Sequence, residues 1–255
     1  MAKIGIIGSG NMGQALINGW LKTSNQLAVY SPNHGEAIAN QYHIDFLHLL
    51  ELTSWSDILV LAFLPQQLSK ISDQISSKIN SNQTIISVLG GISLAQIMEA
   101  FPNTDNIVKT MPNTNVKVNK GEIAYIANSK MSSKKLKDIC NLLKNLGDIF
   151  PLAESDFETF GALAGSGPAI VAKFAESLVL AGVKNGLDRS TMIKIVSKLI
   201  IGTIKNVQET GISFNDLIYQ ISTPGGSTIR GITELENDGF SGKLISACDK
   251  IMASS

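Results

Sequence analysis

An excess of either charge is missing from this chain of 255 residues: lysine and arginine together number 21, and aspartate and glutamate also number 21. A balanced chain has no electrostatic reason to seek nucleic acid or an anionic membrane surface. Neither is expected as a partner, because no basic run interleaved with aromatics supplies a local exception. Cysteine is scarce too. Cys140 and Cys248 lie far apart, without partners at metal-ligand spacing. No disulfide framework and no metal site are therefore expected, and free thiols in a reducing cytoplasm are the plain reading. Long apolar runs are also lacking. The longest, Ile58–Pro65 and Leu178–Val183, fall short of the roughly 20 residues that span a bilayer. The first residues read as a core strand rather than a signal peptide. Together these absences describe a soluble, cytoplasmic protein without a membrane partner.

Glycine, by contrast, is plentiful and patterned. Lys3–Ile7 is a short apolar run of the kind that forms a buried parallel strand. Gly8, Gly10 and Gly13 follow as G-x-G-x-x-G, where the strand turns into a helix over Asn11–Leu21. Each glycine has a reason: a tight turn at Gly8, close approach of a pyrophosphate at Gly10, and helix–strand packing at Gly13. The helix start then offers free N–H groups and a positive dipole end to phosphate. In this context the motif predicts a dinucleotide site built from Gly8, Ser9, Gly10, Asn11, Met12 and Gly13.

Strand and helix alternate through the first half, which predicts a parallel α/β sheet. Further strands are expected at Leu27–Tyr30, Ile58–Leu64, Gln83–Leu89, Ile107–Thr110, Gly121–Ala127 and Asp148–Leu152, with a helix over Ser132–Leu146. Ligands bind at the carboxyl ends of such strands. Ala62, Leu64 and Pro65, Gly90 in its Gly-Gly pair, and Asn113 in Met111-Pro112-Asn113-Thr114 should therefore face the cofactor. The second strand ends at Ser31-Pro32-Asn33-His34, without the acid that usually holds the ribose 2′-OH of NAD. Ser31, Asn33 and His34 can hydrogen-bond a 2′-phosphate instead. NADPH is the expected cofactor, with NADH as the alternative donor.

The texture changes after residue 152. Pro151–Glu158 is acidic and reads as a linker, and long helical segments follow at Pro168–Lys184, Ser190–Gln208 and Phe214–Ser222. Asp188 or Ser190 can cap the second and Ser213 the third, while Gly186 and Gly211 fall where helices should stop. The division predicted is a dinucleotide-binding domain over residues 1–152 and an all-helical domain over 153–255. Met192–Thr203 is apolar over more than one narrow face, and helices of that kind are buried. A domain this small cannot bury several of them unaided, so a homodimer is expected.

The last motif, Thr223-Pro224-Gly225-Gly226-Ser227-Thr228, opens a further helix. With Met111–Thr114, Leu163-Ala164-Gly165-Ser166-Gly167-Pro168-Ala169, Leu235-Glu236 and Gly239-Phe240, it makes the chain resemble pyrroline-5-carboxylate reductases over essentially its whole length. The resemblance implies a Rossmann-type domain followed by a helical dimerisation domain, with dimers that assemble into a larger ring such as a decamer. It implies hydride transfer from NADPH or NADH to the imine carbon of 1-pyrroline-5-carboxylate, giving L-proline in the last step of its synthesis. Gly225, Gly226 and Ser227 would bind the substrate carboxylate through their N–H groups. Thr228 would hydrogen-bond the ring nitrogen as the catalytic residue, and Glu154 matches an acidic position near the substrate.

The chain also departs from that family's usual residues. Leu64 stands where Ala-Val-Lys-Pro carries a lysine, Leu49 where an asparagine can stand, Ala164 where serine is usual, and Asn115 where proline follows Met-Pro-Asn-Thr. Ile218-Tyr219 replaces a basic and acidic pair. Two alternatives stay open at this point. One is a related imine or β-hydroxyacid oxidoreductase, for which a helical lysine among Lys173, Lys184, Lys194, Lys198 and Lys205 would serve as acid–base. The other is a nucleotide-binding member without turnover.

Overall fold

The computed structural model describes residues 1–253 and divides into two compact units, Met1–Gly165 and a second beginning at Ser166. The first is built on a sheet of eight strands: β1 (Lys3–Ile7), β2 (Gln26–Tyr30), β3 (Asp45–Phe46), β4 (Ile58–Leu61), β5 (Thr84–Ser87), β6 (Ile107–Pro112), β7 (Gly121–Ala127) and β8 (Gly147–Pro151). Their order is β3-β2-β1-β4-β5-β6-β7-β8. The chain winds outward from β1 in one direction and returns to β4 on its other side, as in a Rossmann-type sheet. The topological switch lies between β1 and β4.

Side-chain alternation explains why both sheet faces are covered. Ile4, Ile6, Val29, Val60 and Val108 enter one core cluster, together with the fully buried Trp20 of helix α1 (Asn11–Trp20). Ile7, Ala28, Leu59, Leu61 and Ile107 enter the other. The period of two splits each apolar run between two faces, and that requires helices on both sides. They are α1, α2 (Gly35–Tyr42), α3 (Leu49–Trp55), α4 (Leu68–Ile75), α5 (Leu94–Ala100) and α6 (Ser133–Lys144).

The structure corrects three expectations and adds one observation to a fourth. The sheet is not wholly parallel: β7 runs antiparallel to β6, with Thr110 opposite Tyr125, and β8 then pairs parallel to β7. The third predicted strand stops at Leu61 rather than Leu64, because Ala62–Leu64 leave the sheet to line a cleft. Residues 151–158 are not a bare linker. Pro151 ends β8, Glu154–Asp156 form a 3-10 turn, and α7 (Phe157–Phe160) follows with Phe157 buried. Finally, the helical run Glu154–Lys184 is long and apolar enough to cross a membrane by length and composition. Counting uninterrupted apolar residues missed it because small and polar residues punctuate the run.

Both cysteines are free. The Tyr125 hydroxyl is hydrogen-bonded to Cys140 and partly buried, which pushes it up to about 12.

The second unit contains α8 (Gly167–Lys184), α9 (Arg189–Thr210), α10 (Phe214–Ile221), α11 (Ser227–Asn237) and α12 (Phe240–Met252). Of the two candidate caps for α9 the structure uses Asp188, whose carboxylate accepts from the N–H of Ser190 and Thr191. Hydrogen bonds from Thr191 and Ser190 hold that carboxyl down at about 2. Ser213 caps α10 in a reciprocal box with Asp216. Gly211 ends α9 in the left-handed region at φ 72°.

Candidate active site

The three glycines of the first turn separate by what a side chain would meet. At Gly8 the backbone has φ 108°, and a Cβ would lie 2.2 Å from the Ala62 carbonyl oxygen. Its N–H donates to the Tyr30 carbonyl at 2.8 Å, tying the ends of β1 and β2 together. A Cβ on Gly13 would lie 2.2 Å from the Gly8 carbonyl oxygen, which lets α1 sit close to the strand end. Around Gly10 nothing lies within 4 Å of a Cβ. The backbone at Gly10 is thus open to close approach, as a dinucleotide turn requires.

That opening is part of a cleft of about 640 Å³ at the carboxyl ends of β1, β2 and β4. Gly8, Ser9, Gly10, Asn11 and Met12 line it, and so do Ser31, Asn33, Ala62, Leu64 and Leu49. Helix α1 starts at Gly10 with no side-chain cap and no acid in its first turn. Its first N–H groups are therefore unspent and aimed where a pyrophosphate would lie. No carboxylate is found among the described residues of the wall. Shape, free donors and charge all fit a dinucleotide.

Four expected cofactor residues do not line this cleft. Gly13 packs beneath it. Pro65 starts the 3-10 turn Pro65–Gln67 behind Leu64, which is 66% exposed. Gly90 stands in open space at the end of β5, with Gly91 at φ 72° beside it. Asn113 is 3% exposed and fully engaged. Its Oδ1 accepts from the N–H of Asn115 and of Glu122, both at 3.2 Å, and its Nδ2 donates to the Glu122 carboxylate and to the Ala164 carbonyl. The Asn113 side chain thus clasps the loop after β6 to β7 and to the π-helical turn Gly161–Gly165. The cleft also has residues that motif reading overlooked: Gln67, Lys70, Ile71 and Gln74 on and just before α4. The spacing of three and four along that helix was the available signal.

Glu154 has partners within the first unit. Its Oε1 accepts from the Lys109 ammonium at 2.7 Å and from the Leu94 N–H at the start of α5 at 2.7 Å. Lys109 projects from β6, is 7% exposed, and lies 4.9 Å from the centre of the Phe157 ring. Burial acts to raise the Glu154 carboxyl, but the Lys109 and Leu94 hydrogen bonds outweigh it and hold the group below its ordinary value of 4.5. Both bonds go to Oε1, so Oε2 stays open to another partner.

In the second unit, Thr223–Thr228 forms a tight turn into α11. Gly225 takes φ 71°, a conformation that favours glycine. The Gly226 N–H is spent on the Thr223 carbonyl at 3.0 Å, and a Cβ there would lie 2.4 Å from the Thr223 Oγ1. Helix α11 begins after Gly226 without a side-chain cap or an acid in its first turn. The donors open to an anion are therefore those of Ser227 and Thr228 rather than Gly226. The Thr228 hydroxyl is exposed in the single chain.

Comparison with known proteins gives two family matches. Residues 154–255 match the pyrroline-5-carboxylate reductase dimerisation family, and residues 3–91 match the family described as NADP oxidoreductase, coenzyme F420-dependent. A pyrroline-5-carboxylate reductase of Aquifex aeolicus is 32% identical over 97% of this chain and 94% of its own. The crystal structure of 1-pyrroline-5-carboxylate reductase from Streptococcus pyogenes superposes with TM-score 0.87 at 32% identity, covering 99% of this chain and 97% of that one. The Plasmodium falciparum pyrroline carboxylate reductase, solved with NADP bound, gives TM-score 0.89 at 29% identity, covering 99% and 96%.

Proposed function

The chain belongs to the pyrroline-5-carboxylate reductase family, and on that premise we propose how its two units share the reaction. The activity is NAD(P)H-dependent reduction of 1-pyrroline-5-carboxylate to L-proline. When bound, the nicotinamide dinucleotide supplies the hydride that reaches the imine carbon. The residues present fit it: Gly8–Met12 hold the pyrophosphate, Ser31 and Asn33 take the ribose end, and Ala62 and Leu64 form the facing wall. Gly90, Pro65 and Asn113 act by shaping and holding the loops around that site rather than by lining the cleft.

The second unit holds the substrate. The observation that carries this assignment is the Pro224-Gly225-Gly226 turn feeding an uncapped, acid-free helix start. The N–H groups of Ser227 and Thr228 take the carboxylate, Gly225 and Gly226 give the turn its shape, and the Thr228 hydroxyl hydrogen-bonds the ring nitrogen. No histidine, lysine or aspartate stands within the motif, so the substrate reacts as its iminium, with the nitrogen already protonated. Orientation of two held reactants then supplies much of the acceleration, an effect worth up to about 7–11 kcal/mol. Glu154, with Lys109 and the Leu94 N–H on one oxygen, orders the segment that leads toward α8.

The chain works as a homodimer through its helical domain, residues 153–255, and such dimers assemble into a ring such as a decamer. Support comes from the dimerisation family match and from the exposed apolar residues of α8 and α9, among them Val171, Leu180, Leu199 and Ile201. The cytoplasm is the compartment that suits two free thiols. The test is direct: purified protein given NADPH and 1-pyrroline-5-carboxylate should consume the cofactor and form proline in equal amounts. Tight nucleotide binding without turnover would instead make it a non-catalytic member.

A further inference from the structure

The cofactor reading raises a question of charge. A dinucleotide carrying a 2′-phosphate brings a phosphomonoester of about −1.5 to −2 charge at neutral pH in addition to its pyrophosphate. The pyrophosphate has its donors at the start of α1. Beyond β2, where an arginine often meets the 2′-phosphate, this chain offers only the neutral Ser31 and Asn33 to the cleft. Leu64 brings no charge either. Among the described residues lining the cleft, Lys70 is the one with a charged side chain.

We propose that Lys70 recognises the adenosine 2′-phosphate and thereby sets the preference for NADPH over NADH. This inference rests on the cofactor site proposed above. Three observations converge on it. Lys70 and Gln74 lie four residues apart on one face of α4, Gln67 stands just before that helix, and all three line the cleft. Lys70 forms no ion pair with any described residue, so its ammonium is not neutralised inside the protein. The Gln74 side chain donates to the Lys70 backbone carbonyl at 2.9 Å, which anchors the neighbouring turn while leaving the ammonium on its flexible stem to find a phosphate. Together with Ser31 and Asn33, one mobile cation and two neutral hydrogen-bonding side chains form a phosphate subsite supplied by two different elements.

The experiment is titration of the full-length protein with NADP+, NAD+ and 2′-AMP by calorimetry, for the natural chain and for Lys70→Gln and Lys70→Arg. A melting curve for each variant checks that the exposed substitution leaves the fold unchanged. Lys70→Gln should weaken NADP+ and 2′-AMP by about tenfold, equivalent to about 1.4 kcal/mol, while NAD+ stays within about twofold. Lys70→Arg should retain NADP+ binding. The natural chain's affinity for NADP+ should also fall more steeply with salt than that of Lys70→Gln. Equal weakening of NADP+ and NAD+ would assign Lys70 to the pyrophosphate and overturn the proposal, as would no weakening of either. A natural chain that binds neither nucleotide would overturn the cofactor site itself, and this inference with it.

Discussion

Ile4, Ile6, Leu59, Leu61 and Ile85 of the first unit are 0% exposed, whereas along α8 and α9 the buried apolar residues are Val179, Met192 and Val196. Their neighbours Val171, Leu180, Ile195, Leu199 and Ile201 are each about half exposed, at 47–58%. Both units have apolar sequences, yet the first closes two large core clusters from its own residues and the second a small one around Val179, Met192 and Val196. A sheet covered on both faces by its crossover helices is complete within one chain. Among the described residues nothing covers the outer apolar faces of α8 and α9, and the unit that carries them matches a dimerisation family. On the function proposed above, cofactor binding is a property of one folded unit, and substrate binding depends on a domain finished by a second copy.

The most damaging test of this contrast is a charge on the unfinished face. Ile195 and Leu199 lie four residues apart on α9, so they share a face. Leu199→Glu should weaken self-association by about 3 kcal/mol or more, the scale of an unpaired buried charge, as read by sedimentation equilibrium. Proline formation should fall with it, while nucleotide binding stays. A variant that still forms dimers with natural affinity would remove this face from the interface.

Within the first unit the glycines can be set against one another. Gly10→Val fills the open room above the turn, so it should lower nucleotide affinity at least about tenfold and leave the melting temperature in place. Gly13→Val meets the Gly8 carbonyl, so it should cost about 1–3 kcal/mol of stability in chemical denaturation. If both variants bind nucleotide normally, the cleft has been misassigned.

A smaller effect distinguishes the Glu154 clasp by its pH dependence. The folded carboxyl is held below its ordinary value of 4.5. The stability it contributes is therefore fully present above that value and is lost as pH falls through the lowered folded one. Glu154→Gln should cost about 1–2 kcal/mol at neutral pH, toward the lower end for hydrogen bonds to charged groups because the carboxylate is partly exposed. The gap between natural and variant chains should close below the ordinary carboxylate range. A gap that stays constant into acid would mean that the carboxylate's charge contributes nothing. Smallest of all, Ser213→Ala removes the cap of α10 and should cost about 1 kcal/mol, measured by thermal denaturation. No loss would show that the box with Asp216 is dispensable.

How far the sequence revealed this follows from the range of the interactions involved. The limits of β1 and β7, the cap at Ser213 and the choice of Asp188 or Ser190 before α9 depend on neighbours close in the chain, and these were legible. The direction of β7 was not, because an apolar run carries no mark of polarity, and neither was β3, which has two residues. Lys109 with Glu154 is a contact 45 residues apart, so in the sequence Glu154 read equally as an acid near the substrate and as part of an acidic linker. Asn113 was expected in the cofactor site on the strength of its loop, but its side chain serves Glu122, Asn115 and Ala164. Lys70, Gln67 and Gln74 were overlooked because polar residues on a short helix ordinarily face water, and only the fold turns that face toward the cleft.

The measurement that bears most directly on the division of labour is steady-state kinetics of Thr228→Ala beside the natural chain, with nucleotide affinity measured on both. The natural chain should turn over 1-pyrroline-5-carboxylate with NADPH. The variant should lose about 10- to 100-fold in kcat/KM, the value of one hydrogen bond to a charged group, with NADP+ affinity unchanged. A Thr228→Ala protein that keeps the natural kcat/KM would contradict the account and move the substrate away from the start of α11.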